Sequence, residues 1–281
     1  IRPGTSACGS TATTAPSTPT ADFLAVTPDE LTPAVELAVD GGPGITSDEA
    51  LTLLREGELQ VEGRLVDASN ATFYCAITTA QRAAACVYKP IAGERPLWDF
   101  PDGTLAEREV AAYEVSAALG WPLVPPTVLR DGPAGPGMVQ LWIDVDDSVE
   151  ISRFMRRRDV ERLRQIAVFD AVINNADRKG GHLLPTPAGH VYAVDHGVTF
   201  NVEDKLRTVL WQWAGARIPV ETCTALAALR ADLAGDLGER LCELLTRREV
   251  GRTRSRVDRL LRTGRHPEPS GDWPPVPWPP I

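Results

Sequence analysis

Residues 174–182 read Asn-Asn-Ala-Asp-Arg-Lys-Gly-Gly-His, and residues 191–197 read Val-Tyr-Ala-Val-Asp-His-Gly. Each segment sets an acidic residue, Asp177 or Asp195, where an apolar pattern has just broken. Upstream of the first, Leu163, Ile166, Phe169, Val172 and Ile173 fall at helical spacing, which predicts a buried amphipathic helix over 160–173. Between the two segments, 182–184 and 190–194 flank a Pro/Gly turn and read as a hairpin. One carboxylate follows a helix and the other ends a strand, so a single short hairpin can bring both to one site.

Working outward, the C-terminal side is helical near 220–233, 236–247 and 249–263, and the Pro/Trp-rich stretch from 267 is expected to be extended. On the N-terminal side, residues 1–20 are low-complexity, and 21–43 end in the breaker Gly41-Gly42-Pro43. Thr46 and Glu49 have capping-box spacing before a short helix that stops at Gly57. Three strands are expected at 59–66, 72–77 and 84–90, as an antiparallel meander with one buried face. A helix over 104–119 stops at Gly120, and extended pieces at 127–129 and 138–143 flank a Gly/Pro-rich turn at 131–137. The pattern predicts an α+β fold of two lobes: a loosely attached segment 1–43, a small β-rich lobe 44–143, a mainly helical lobe 144–266 and a tail 267–281.

Composition narrows the function. A net charge of −9 argues against nucleic acid as a partner, because phosphate neutralisation needs a basic surface. The arginines gathered at 153–164 and 247–265 read as solvated helix faces, or else as a dock for an anionic partner. No run of about 18 apolar residues appears, so no transmembrane segment is expected. Five cysteines, odd in number and without CxxC spacing, fit reduced thiols and a cytoplasmic protein.

Lysine is scarce, with Lys89, Lys179 and Lys205 against 26 arginines, a bias like that of a GC-rich bacterial genome. Lys89 ends an apolar strand, where it reads either as an edge-strand charge or as a phosphate contact. Phosphoryl transfer needs a carboxylate to orient the acceptor hydroxyl, oxygen ligands for a divalent ion and a cation for the nucleotide phosphates. Asp177, Asp195 and Lys89 suit these roles in turn. Glu107 and Glu109 lie on the following helix, where either can brace Lys89. The turn at 67–70 offers Ser69 and Asn70 to phosphates, and Gln140 to Trp142 occupies the place of a hinge that meets adenine through its backbone. His182, His190 and His196 also raise a metal-hydrolase reading, disfavoured because no HExxH or HxH spacing occurs.

The DRKGGH run at 177–182 resembles the DRHxxN catalytic loop of phosphatidylinositol 3- and 4-kinases, and the DHG at 195–197 is similar to their metal-binding DFG. The resemblance covers roughly 58–250, is closest to a small kinase-like branch of actinobacterial genomes, and extends more distantly to HipA-type kinases. It implies a protein-kinase-like fold using ATP with Mg²⁺ or Mn²⁺. Asp177 would be the catalytic aspartate, Asp195 the main metal ligand, and Glu109 the brace of Lys89. His182 stands where that family has a metal-binding Asn, and Lys179 where lipid kinases have His. Imidazole favours Mn²⁺ and other transition ions over Mg²⁺. The acceptor is left open among a small molecule, a lipid and a protein. The alternatives are AMP transfer with the same residues, or a nucleotide-binding scaffold without catalysis.

Overall fold

Thr46 and Glu49 make both halves of the capping box: Glu49 N–H donates to Thr46 Oγ1 at 3.2 Å, and Thr46 N–H donates to Glu49 Oε2 at 2.8 Å. This starts α1 (Ser47–Glu56), whose Leu53 and Leu54 are buried. A computed structural model describes residues 32–38, 44–65 and 70–281, and among these the chain is mixed α/β. Strands β1 (Glu58–Arg64), β2 (Phe73–Thr78), β3 (Ala83–Pro90), β4 (Thr127–Gly132) and β5 (Gly135–Leu141) form one antiparallel sheet in the order β1-β2-β3-β5-β4.

Two expectations about this sheet change. The meander was expected to bury one face, yet Tyr74 to Ile77 in β2 and Ala84 to Cys86 in β3 are buried without alternation. One face, carrying Cys75, Ile77, Cys86, Tyr88 and Val139, packs with Leu53 and Leu54 of α1. The other carries Tyr74, Ala76, Ala85 and Lys89, and residues near 32 cover part of it, with Tyr74 Oη donating to the Thr32 carbonyl at 2.6 Å. The turn expected at 131–137 shrinks to Pro133-Ala134, because β4 and β5 pair from Thr127–Gln140 to Gly132–Gly135. Glycine is needed there for space: a Cβ on Gly132 or Gly137 would come within 2.8 Å of the Tyr88 ring.

After β3, helix α2 (Leu105–Ala118) is buried on most sides, packing on β4 and β5 and against α6. The rest is helical apart from the hairpin of β6 (Leu183–Pro185) and β7 (Val191–Ala193). The helices are α3 (Ile151–Phe154), α4 (Glu161–Ile173), α5 (Val220–Asp232), α6 (Asp236–Leu244) and α7 (Arg247–Thr263), close to the periodicity-based expectation. Short α3 was not foreseen. Leucines of α4 to α7, with Phe169 and Trp213, form a second apolar core distinct from that under the sheet.

Arg108 ties α2 to this helical core. It is 1% exposed, its Nη2 lies 2.7 Å from Glu249 Oε1 on α7, and its Nη1 donates to the Thr199 carbonyl at 2.8 Å. A buried ion pair adds little over an apolar pair, but removing one partner strands the other. Arg108→Met is therefore expected to lower stability by about 3 kcal/mol in urea unfolding, and the double change with Glu249→Gln to recover part of that loss.

Candidate functional site

The site is built from the end of α4. Asp170 and Arg178 are both wholly buried, and the guanidinium grips the carboxylate with Nε at 3.0 Å from Oδ2 and Nη2 at 3.0 Å from Oδ1. Asn175 Nδ2 also donates to Asp170 Oδ1 at 3.0 Å. The helix stops at Asn174, whose left-handed φ of 55° suits asparagine. Asn174 Nδ2 then donates to the Asn201 and Glu203 carbonyls at 3.1 and 2.6 Å. With Arg178 turned inward, its neighbour Asp177 keeps a carboxylate 30% exposed, paired with Lys179 Nζ at 3.1 Å. Asp177 N–H donates to Asn175 Oδ1 at 2.9 Å. Both asparagines thus fasten the loop.

Arg178 also reaches the second motif. Its Nη1 donates to the Val194 carbonyl at 2.8 Å, and its Nη2 lies 2.6 Å from His196 Nε2. Beyond it, Asp195 has a φ of 61°, a conformation that aspartate tolerates better than most residues. Its carboxylate meets Lys89 Nζ at 3.1 Å through Oδ1 and His182 Nε2 at 3.2 Å through Oδ2. Lys89 Nζ also lies 2.7 Å from Glu109 Oε1, while Glu109 Oε2 accepts the His196 N–H at 2.7 Å. One carboxylate on α2 therefore braces both the strand lysine and the DHG backbone.

The charges respond to this crowding. Burial alone would lower the Lys89 pKa, but Asp195 and Glu109 outweigh it and raise it above the ordinary lysine range. Lys89 in turn holds Asp195 well below the usual carboxylate range against the cost of burial, with His182 adding to the effect. Burial pushes His182 down, and pushes His196 down further with help from Arg178.

The other expected residues fall out as follows. Lys89 is not on an edge, because β3 lies between β2 and β5. Of the two helix glutamates it is Glu109 that reaches Lys89; Glu107 keeps one buried carboxylate oxygen without a partner, and burial raises its pKa. Gln140 is buried in the sheet and donates to Thr127 Oγ1 at 2.8 Å, and Trp142 N–H is taken by the Ala85 carbonyl at 3.1 Å. Gln140 therefore belongs to the sheet, whereas Trp142 follows β5 and begins the irregular chain with its N–H still held by the sheet. Asn70 Oδ1 accepts the Arg95 N–H at 2.9 Å, whereas Ser69 lies outside the described residues. His190 Nε2 sits 2.7 Å from the Pro122 carbonyl, and among the described residues no group of three His, Cys, Asp or Glu is placed to hold a metal. Cys75 and Cys86 are buried cross-strand neighbours, and their contact holds the Cys86 thiol well above its ordinary pKa, unlike a nucleophile. Asp170 and Arg178 were missed, and His196, read as a possible metal ligand, instead lies against Arg178 with its N–H on Glu109. The available signal was Asp170, a charge inside the apolar run 166–173.

No family model matches the chain. The chain is 47% identical over 266 residues to "Protein Rv2133c" of Mycobacterium tuberculosis, which spans 83% of this chain and 95% of that protein. The chain belongs to the Rv2133c family. It is also 31% identical over 152 residues to "Phosphatidylinositol 4-kinase gamma 4" of Oryza sativa subsp. japonica, a match covering 46% of this chain and 27% of that longer protein. No described helix is long and apolar enough to cross a membrane.

Folding keeps the buried His196 and His266 and the partly buried His182 neutral, with burial bringing His266 down to about 4. The unfolded chain takes up these protons near the ordinary histidine pKa of about 6.5, so stability is complete above that pH and falls as the pH drops towards 4. Urea midpoints measured from pH 7.5 to 4.5 should decline, and His266→Gln should flatten part of the decline.

Proposed function

We propose that the protein is an ATP-dependent phosphotransferase with a two-lobed, kinase-like fold, the sheet side and the helical side facing each other across the Lys89–Asp195 contact. The observation that carries this reading is the convergence of Lys89, Glu109 and Asp195 from a strand, a helix and a loop, with Asp177 presented by a loop whose Arg178 bonds the Val194 carbonyl next to Asp195. The partial match to a rice phosphatidylinositol 4-kinase agrees with it.

In this reading Lys89 binds the nucleotide phosphates, and Glu109 keeps its ammonium pointed at them. Asp177 orients the acceptor hydroxyl and receives its proton, while Lys179 adds a cation beside it. Such a site works by positioning and charge complementarity, without a covalent intermediate on the protein. The donor set fits a divalent ion: His182 Nε2 and Asp195 Oδ2 stand 3.2 Å apart, near the spacing of adjacent ligands around an octahedral ion with bonds of about 2.2 Å. Asp195 and His182 would hold it together with phosphate oxygens, and the ion would supply charge neutralisation on the triphosphate. The acceptor is a hydroxyl compound of unassigned class.

ATP is expected to raise the melting temperature only when a divalent ion is present, by the equivalent of about 2.7 kcal/mol at 100 times the dissociation constant. Transfer of label from γ-labelled ATP should fall by a factor of about 10² to 10⁴ in Asp177→Asn with nucleotide affinity kept, and Lys89→Met should lose both. A metal-dependent melting shift without turnover would make the protein a nucleotide-binding scaffold, and transfer of label only from α-labelled ATP would make it an AMP transferase. A mixed nitrogen and oxygen pair predicts tighter Mn²⁺ than Mg²⁺ binding with ATP in calorimetry, and His182→Asn should narrow that difference.

A further inference from the structure

The Pro/Trp-rich stretch that the sequence leaves without a role lies against the catalytic loop. Residues 207–209 form the first layer on that loop. Arg178 N–H donates to the Arg207 carbonyl at 3.1 Å, Arg207 N–H to the Asn175 carbonyl at 2.9 Å, and Val209 N–H to the Arg178 carbonyl at 3.1 Å. Residues 273–281 form a second layer on the first. The Pro275 carbonyl accepts Thr208 N–H at 2.9 Å and the Trp211 indole N–H at 2.8 Å, and the Pro274 carbonyl accepts Arg207 Nε at 3.1 Å. At its far end the Pro280 carbonyl accepts Gly180 N–H at 2.8 Å, three residues from Asp177. At its near end the Trp273 ring lies tilted 6.3 Å from Trp98, and Lys205 Nζ lies 4.7 Å from each ring.

Proline chemistry explains why this segment can serve as a brace. A proline presents a carbonyl and no N–H, so a Pro-rich extended chain offers acceptors while needing few partners of its own. Its backbone is also stiff before docking, which lowers the entropy lost on ordering. The loop it meets has the opposite need: Gly180-Gly181 is entropically costly to fix, and the N–H of buried Gly180 requires an acceptor. Gly180 itself is hemmed in, since a Cβ there would approach Met155 Sδ at 3.0 Å and Ile281 Cγ1 at 3.2 Å.

We infer that residues 273–281 are a strap that positions the catalytic loop for turnover, with the Pro275 and Pro280 carbonyls as its two fastenings. It is a support and not a plug, because Asp177 and Asp195 keep side-chain exposures of 30% and 48% while the strap is docked. The kinetic part of this inference rests on the phosphotransfer reading; the structural part does not.

The test uses the full chain with Trp211→Phe and Trp273→Ala combined, which removes one donor to Pro275 and the aromatic anchor. Val220→Ala, at a residue 76% exposed and outside the strap, is the control. Hydrogen exchange over residues 177–182 should speed up by about tenfold, the change expected from losing about 1.4 kcal/mol of local protection. Turnover should fall about tenfold while the dissociation constant of a fluorescent ATP analogue stays within about twofold, a split that general unfolding would not give. If the double variant is poorly folded, Trp211→Phe alone should show the same split at smaller size. Unchanged exchange at 177–182 overturns the strap, and so does a rise in turnover, which would mark an inhibitory segment. If the wild-type protein itself transfers no phosphoryl group, the phosphotransfer reading falls and the exchange result alone decides the strap.

Discussion

The Asp170–Arg178 pair is the contact from which the rest of the site hangs. Both side chains are fully buried, so neither can be left without its partner except at a cost of about 3–5 kcal/mol. The pair occupies the inward side of the loop after α4, and this forces the adjacent Asp177 outward. Arg178 Nη1 also reaches the Val194 carbonyl and Nη2 lies against His196, so the same guanidinium sets the height of the DHG segment against the loop. From His196 the chain of contacts passes through Glu109 to Lys89, crossing from the helical core to the sheet. A single buried cation thereby registers three elements distant in sequence.

Backbone strain falls at the same junctions. Asn174, Asp195 and Phe200 have left-handed φ values of 55°, 61° and 61°. Asparagine and aspartate adopt that conformation at modest cost, but a bulky aromatic does not. Phe200 is held there because its side chain is fully buried and its N–H donates to the Ile173 carbonyl at 2.6 Å. The segment following the DHG is thus over-determined by packing where it turns, and hydrogen-bonded to the outer strap where it runs free at 207–211.

Much of this was legible before any coordinates. Short apolar runs and helical spacing give the strands and long helices because apolar faces must meet a core, and the capping box at Thr46 follows from local hydrogen bonding alone. The loop residues Asp177 and Asp195 announce themselves because carboxylates at the end of apolar runs are costly without a purpose. What stayed hidden depends on contacts across long sequence separations. Nothing local says that Arg178 faces inward to Asp170 while Asp177 faces out. The glycines at 132 and 137 read as a loose turn because their partner, the Tyr88 ring, comes from another strand. Gln140 looked like free hinge backbone because the pairing of β5 on both sides is a property of the sheet and not of the segment.

The distribution of burial separates frame from working surface. Asp170 and Arg178 are fully enclosed and Glu109 nearly so, at 2% exposure, whereas the carboxylates of Asp177 and Asp195 reach into open space. A protein that used all these charges only to hold itself together would gain little from the exposed ones, since half-exposed pairs contribute little to stability. Here the enclosed charges are committed to geometry, and the exposed ones remain available for exchange. The Lys89–Asp195 contact joins a cation and an anion that a metal-bound triphosphate could each satisfy anew, phosphate taking the ammonium and metal the carboxylate. Glu109 would stay in place through that exchange, because its second oxygen is engaged by the His196 backbone. The arrangement therefore allows a charged ligand to replace an existing ion pair without leaving any buried charge unpartnered.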